Sequence, residues 1–216
     1  MIEHVYRRAE DARTVDAVLV ATDDDRIATA VDAFGGVAVM TRDDHPSGTD
    51  RLAEVAEALE SDVIVNIQGD LPFITPEPID AAVRLVLDTP SLSMGTLRCR
   101  ITNADELDNP SVVKVVTDLT GRALYFSRAT IPFARAGQPA VWKHIGLYVY
   151  RRDFLLRIAG LPPTPLERAE GLEQLRVLEH GFAIGTVETT IDTVEVDTPE
   201  DLERVRKLAD ASSVRS

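Results

Sequence analysis

Apolar positions recur along this chain in two rhythms, and the switches between them divide it into elements. Ile2, Val5, Tyr6, Ala9 and Ala12 fall at helical spacing, which predicts an opening amphipathic helix. Residues 15–21 form a short β-rich run. Thr22 and Asp23 then read as a helix start, with Ile27, Ala30, Val31 and Phe34 on one face and Gly35-Gly36 as the stop. Residues 37–40 predict a second strand. Leu52, Val55, Ala56 and Leu59 predict another helix, and 63–67 a strongly buried strand. A helix over 76–88 begins with Pro in its first turn, where the missing N–H leaves nothing unsatisfied.

The second half has a different rhythm. Residues 92–98, 112–117 and 122–126 predict strands, with a hairpin turn at 118–121. Another strand covers 144–150, a helix 166–178, a strand 183–187 and a closing helix 199–208. Alternating buried strands and helices argue for an α/β fold, a three-layer, mostly parallel sheet with an antiparallel insert. A parallel sheet that opens on a helix lacks the strand expected before it. In such sheets the first strand-to-helix loop often carries ligand phosphates, so that loop is expected upstream of Met1.

Composition narrows the function classes. The chain has 216 residues, 44% apolar and 27% charged, an ordinary globular balance for one domain. Its 12 Gly and 12 Pro follow no repeat, which excludes collagen-like and disordered readings. The net charge of −13 argues against a nonspecific nucleic-acid binder, yet leaves room for a small anion in a local basic pocket. Cys99 is the one cysteine, so neither an internal disulfide nor a paired-thiolate zinc site exists. The longest apolar run, 17–21, is too short to cross a bilayer, and the first residues lack the apolar core of a signal peptide. A soluble cytoplasmic protein is expected.

The sharpest chemistry lies where the strand over 63–67 runs into Gln68-Gly69-Asp70-Leu71-Pro72. Ligands of open α/β sheets bind beyond the carboxyl ends of strands, and Gly69 lets backbone approach one closely. Asp70 is either a hard oxygen ligand for Mg²⁺ or a turn residue before Pro72. Asp197, in Val196-Asp197-Thr198-Pro199, is a second candidate carboxylate or a helix N-cap. Asp23-Asp24-Asp25 has the Asp-x-Asp spacing of metal-dependent glycosyltransferases, but it also opens a helix, where carboxylates complement the dipole. Ser47-Gly48-Thr49-Asp50-Arg51 suits anion contact or simple capping. Arg128 follows a strand. His144, Gly146 and Tyr148 share a strand face by period two, although a lone strand His is commonly structural. Glu173, Gln174 and Arg176 lie in a helix, where charged residues usually form a solvated face.

Together, Ser47-Gly48-Thr49-Asp50-Arg51, Asn66-Ile67-Gln68-Gly69-Asp70, Ala123-Leu124-Tyr125-Phe126-Ser127-Arg128, His144-Ile145-Gly146, Leu172-Glu173-Gln174-Leu175-Arg176 and Val196-Asp197-Thr198-Pro199-Glu200-Asp201-Leu202 resemble the 3-deoxy-manno-octulosonate (Kdo) cytidylyltransferases of lipopolysaccharide synthesis. The resemblance runs in order from Met1 to Leu208. It implies a glycosyltransferase-A-like nucleotidyltransferase fold, a homodimer, and the reaction of CTP with Kdo to give CMP-Kdo and pyrophosphate. It implies that Asp70 and Asp197 are catalytic and hold Mg²⁺, and that Ser47, Arg51 and Gln68 join Asp70 around the nucleotide. Arg128, His144, Tyr148, Glu173 and Gln174 would line the sugar-acid pocket, with Arg128 and His144 offsetting the sugar carboxylate. The nucleotide part would span about 1–90 and 185–210, and a sugar-acid and dimerisation insert about 91–184.

Two departures qualify the resemblance. Leu71 stands where the family usually has an acidic residue. The family's opening strand and its Gly- and basic-rich loop have no counterpart, so the chain as written is expected to lack normal activity and to be less stable. The rival readings are a noncatalytic remnant that binds a sugar or a partner subunit, a cytidylyltransferase for another 3-deoxy sugar acid, and a glycosyltransferase using Asp23 and Asp25.

Overall fold

The computed structural model describes residues 1–191, 196, 203 and 205–207. Helix α1 (Ile2–Glu10) buries Val5, Tyr6 and Ala9. Strands β1 (Val20–Thr22) and β2 (Ala38–Met40) form a parallel two-stranded ladder, joined by helix α2 (Asp25–Ala33). The Asp24 carboxylate caps α2 by accepting from the Arg26 N–H at 2.8 Å, and Gly35 leaves the helix with φ 79°. The strand predicted over 15–21 contracts to 20–22 because the β2 ladder beside it has only three residues. Helix α3 (Gly48–Glu57), strand β3 (Val63–Ile67), helix α4 (Pro76–Asp88) and strand β4 (Met94–Arg100) follow.

Strands β5 (Lys114–Thr117) and β6 (Ala123–Ser127) form the expected hairpin. At its turn the Asp118 carboxylate accepts from the N–H groups of Thr120 and Arg122, and Gly121 takes φ 83°. Strand β7 (Trp142–Arg151) leads into helix α5 (Arg152–Ala159), which the periodicity did not reveal. The helix expected over 166–178 is two helices, α6 (Pro165–Glu170) and α7 (Gln174–Glu179). Gly171, at φ 64°, adopts the left-handed conformation that ends α6. Strand β8 (Gly185–Thr189) completes the sheet. Most of the closing helix expected over 199–208 lies outside the described residues; Glu203 and residues 205–207 are helical.

Among the described residues the larger sheet has six strands, in the order β6-β5-β7-β4-β8 with β3 also on β7. Both β3 and β4 pair antiparallel with β7, and β8 pairs parallel with β4. Strands β3, β4 and β8 therefore share one direction and β7 runs against them. Side chains of β7 alternate between two cores. Ile145, Leu147 and Val149 pack with α1 and α4, while Tyr150 packs with α3, α5 and α7, giving helix, sheet and helix layers. The β4–β7 register shifts between Thr96 and Leu97: Thr96 pairs with Tyr148 but Leu97 with Ile145. This bulge opens the sheet on the face where the site lies.

A buried ion pair joins the two halves of the broken helix. Arg176 donates through Nε to Glu167 Oε2 at 2.9 Å and through Nη2 to Oε1 at 2.5 Å. Glu167 also closes a capping box with Thr164. Burial opposes the Glu167 charge, but the Arg176 guanidinium and the Thr164 N–H outweigh it and hold the carboxyl below its usual range. Removing one partner strands the other charge, so Arg176→Leu is expected to lower the unfolding free energy by about 3–5 kcal/mol. Replacing both residues with apolar ones should recover part of that loss in urea denaturation. Because the folded-state value is depressed, the Glu167 contribution is present above the ordinary carboxylate range. It is lost as pH falls through the folded value, and a urea series run downward from neutral pH reads that loss.

Candidate active site

A cavity of about 460 Å³ opens at the carboxyl end of β3. Asn66, Gln68 and Asp70 enter from that strand end, and Gly48 and Thr49 from the start of α3. Gly146, Tyr148 and Tyr150 supply the β7 floor, with Arg128 behind β6 and residues 171–174 from the α6–α7 turn. The turn at Asp70 is held from below. Leu71 is completely buried beside Ile74 and Ile79 in the α1–α4 core, and its N–H donates to the Gln68 carbonyl at 3.3 Å. Leu71 is thus an anchor that pins the Gln-Gly-Asp turn, and its apolar character faces the core. The Val196 N–H donates to the Asp70 carbonyl at 3.1 Å, which brings the residue preceding Asp197 onto this strand end. Asp197 itself lies outside the described residues.

Arg128 is held almost wholly by neutral acceptors. Its Nε donates to the Glu170 carbonyl at 2.8 Å and its Nη1 to the Pro110 carbonyl at 3.0 Å, with the Gly171 carbonyl 3.5 Å from Nη2. The Glu170 carboxylate accepts from the Arg128 N–H at 2.9 Å and from the Ser127 hydroxyl at 2.7 Å. Below it, Lys114 is fully buried, its ammonium donating to the carbonyls of Asn109, Val112 and Arg128. A guanidinium has five N–H donors, so Arg128 keeps some for a ligand. Arg176 also lines the cavity, but its charge is matched by Glu167.

Thr49 ties the two walls together. Its hydroxyl donates to Glu173 Oε2 at 2.6 Å. Tyr150 lies on the same wall, and burial raises its phenol so that it stays protonated.

The expected residues divide by location. Asp70, Gln68, Arg128, Tyr148, Glu173 and Gln174 converge on the cavity. Ser47 and Arg51 do not line it. Ser47 caps α3, its hydroxyl engaging the N–H and carboxylate of Asp50. Arg51 donates to Thr41 Oγ1 at 2.6 Å and Asp23 Oδ2 at 2.9 Å, so its guanidinium ties α3 to the β1–α2 loop. This also occupies Asp23, while Asp24 caps α2. His144 does not line the cavity directly; it stacks beside Tyr148, which does, with ring centroids 5.2 Å apart. The expectation of an imidazolium there is corrected: burial pushes His144 down to about 3, and it is neutral near neutral pH.

Sequence reading missed Tyr150 as a wall residue and treated Arg176 as solvated, although Gln174, Leu175, Arg176 and Val177 are all buried. A helix only six residues long with polar positions on every side carries no clean periodic signal. Among the described residues no group of three or more His, Cys, Asp or Glu could hold a metal ion. A single carboxylate at a strand end fits Mg²⁺, which keeps its waters and completes its shell with substrate phosphates.

The cytidylyltransferase family profile matches residues 1–191. The chain is 54% identical to the 3-deoxy-manno-octulosonate cytidylyltransferase of Pelobacter propionicus, covering 96% of this chain and 86% of that one. It is also 54% identical to the Solibacter usitatus enzyme of the same name, covering 98% and 85%. Among solved structures, CMP:2-keto-3-deoxy-manno-octonic acid synthetase complexed with CTP superposes with a TM-score of 0.93 at 46% identity, over 98% of this chain and 88% of that one. A glucose-1-phosphate thymidylyltransferase from Bacillus anthracis shares the fold alone, with a TM-score of 0.66 at 16% identity over 96% and 81% of the two chains. On the family profile, the identity and the nearly complete overlap, the chain belongs to the 3-deoxy-manno-octulosonate cytidylyltransferase family.

Proposed function

We propose that the protein transfers the cytidylyl group of CTP to Kdo, releasing pyrophosphate and forming CMP-Kdo. The observation that carries this reading is the single cavity in which the Gln68–Asp70 strand end meets Arg128, Tyr148, Glu173 and Gln174. The CTP complex of a relative at 46% identity supports the nucleotide half. The sugar hydroxyl at the anomeric carbon attacks the α-phosphorus as pyrophosphate leaves in line, so the protein's task is positioning and charge neutralisation.

Gln68 donates to Asn66 Oδ1 at 3.3 Å and keeps its amide oxygen and a second N–H for the nucleotide. Arg128 presents its remaining donors to the sugar carboxylate. Tyr148 offers a ring face, and Glu173 and Gln174 read hydroxyls. Asp70, with Asp197 as the expected second carboxylate, would hold Mg²⁺, which when bound neutralises phosphate charge and activates the attacking oxygen. A noncatalytic remnant is not favoured, because the chain is 54% identical, over 96–98% of its length, to relatives named 3-deoxy-manno-octulosonate cytidylyltransferase. The substrate pair fits a cytoplasmic enzyme that supplies activated sugar acid to lipopolysaccharide synthesis. No helix among the described residues is long and apolar enough to cross a membrane.

The assembly we propose is a homodimer formed through the insert. Strand β6 lies at a sheet edge and carries exposed Leu124, with exposed Leu119 and Phe133 nearby in sequence. Exposed apolar side chains gathered near one strand favour a covered face.

Pyrophosphate release dependent on both CTP and Kdo is the direct test. CTP binding without release would favour the noncatalytic reading. Asp70→Asn is expected to reduce kcat by at least about 10²-fold, as loss of one preorganised charge contact does, while the unfolding midpoint stays in place because Asn serves the turn equally well. Arg128→Lys keeps the charge but loses the fork, and should raise the Kdo KM about tenfold with little change in the CTP KM. Equal effects on both substrates would remove Arg128 from the sugar side. Leu124→Lys combined with Phe133→Asp should halve the mass seen by light scattering; an unchanged mass would move the dimer contact elsewhere.

A further inference from the structure

The β4–β7 bulge places Thr96 where a side chain does the work of a ladder hydrogen bond. Thr96 is completely buried. Its hydroxyl has one proton, which it donates to the Leu147 carbonyl at 2.7 Å, with the Ile145 carbonyl at 3.3 Å as a weaker acceptor. The same oxygen lies 3.0 Å from His144 Nε2. An oxygen whose proton is committed to a carbonyl can only accept from a third group, so Nε2 carries the imidazole proton.

The ring has little freedom to escape this arrangement. Phe126 meets it edge-on at 5.2 Å and 86°, and Tyr148 lies along it at 5.2 Å and 34°. Among the described residues, the contact with Thr96 is the only side-chain hydrogen bond His144 makes. His144 shares its strand face with Gly146, Tyr148 and Tyr150, which floor the cavity.

We propose that Thr96 is a positioning residue for the sugar side of the site: it fixes His144 as the Nε2–H tautomer, so that Nδ1 accepts a hydrogen bond from a sugar hydroxyl. The identity of that ligand rests on the Kdo reading above. A bare lone pair repels a carboxylate, so the sugar's carboxylate falls to Arg128 and His144 discriminates by hydroxyl. The imidazole's low proton affinity, set by burial, agrees with this division.

Long-range proton–nitrogen correlation spectra of the full chain, labelled with ¹⁵N at histidine, read the tautomer without any substrate. The wild type should show protonated Nε2 and bare Nδ1 near neutral pH. Thr96→Ser should keep that pattern, and Thr96→Val should lose the fixed tautomer. In steady-state assays Thr96→Val should raise the Kdo KM about tenfold with the CTP KM unchanged, and Thr96→Ser should restore it. Should Thr96→Val fail to fold, His144→Phe serves, since its ring keeps the packing against Phe126 and Tyr148 while nothing replaces the Nδ1 acceptor. It should raise the Kdo KM alone. A proton on Nδ1 in the wild type, or an unchanged Kdo KM in a folded Thr96→Val or His144→Phe, would overturn the proposal. Absence of turnover with CTP and Kdo would instead remove the assigned reaction and leave the tautomer result standing.

Discussion

Strand β7 is the constraint on which this molecule depends. It runs antiparallel between β3 and β4, two strands that share a direction, and its other end pairs with β5. Its register is locked along the β3 edge, where Ile67 pairs with Leu147 and Asn66 with Tyr148. On the β4 edge the same strand carries surplus residues opposite the Thr96–Leu97 step. A strand locked on one edge and bulged on the other must open its ladder on the bulged side. Thr96 closes that opening with a hydroxyl, and Gly146 leaves room above it. The cavity floor is therefore a consequence of strand pairing. The β3 end that delivers Asp70 and the β7 face that delivers Tyr148 are set by one register.

Much of the architecture was legible because it follows from period and punctuation. The buried run of β3, the Pro-initiated α4 and the β5–β6 hairpin each combine a clean rhythm with a capping or turn residue. The failures have local causes. Helix 166–178 broke at Gly171, a signal present in the sequence but outweighed by the apolar spacing on either side. Strand 15–21 shrank because a ladder needs a partner of equal length, which no local pattern reports. At the site, the Gln68-Gly69-Asp70 turn, Arg128, Tyr148, Glu173 and Gln174 could be named in advance because they come in ordered motifs. Ser47 and Arg51 came from an equally good motif, yet both are engaged in local structure. Nothing in Ser47-Gly48-Thr49 says which hydroxyl caps α3 and which reaches Glu173, because the choice depends on a residue 124 positions away.

The charge of His144 was illegible for a related reason. Protonation depends on the total surroundings, and those come from Phe126, Tyr148 and Thr96 on three different strands. Sequence marks the residue type with an unperturbed value near neutrality. The fold removes water from it and provides an acceptor at only one nitrogen.

That leaves the question of how a chain of net charge −13 holds two anionic substrates in one cavity. Two arginines reach the space, and they are anchored in chemically different ways. Arg176 is clasped by the Glu167 carboxylate, which fixes its position and cancels its charge locally. Arg128 is clasped by the carbonyls of Glu170 and Pro110, which fix its position with dipoles and leave its net charge intact. The Glu170 carboxylate engages backbone and hydroxyl donors at Arg128, Ser127 and Tyr125. Lys114, buried on three carbonyls including that of Arg128, places a second cation beneath the same segment. Carbonyl anchoring is thus what separates a cation available to a ligand from one built into the frame. By that criterion Arg128 is the cation that the proposed sugar side would use, and the hydroxyl-reading role proposed for His144 neither adds to that charge nor opposes it.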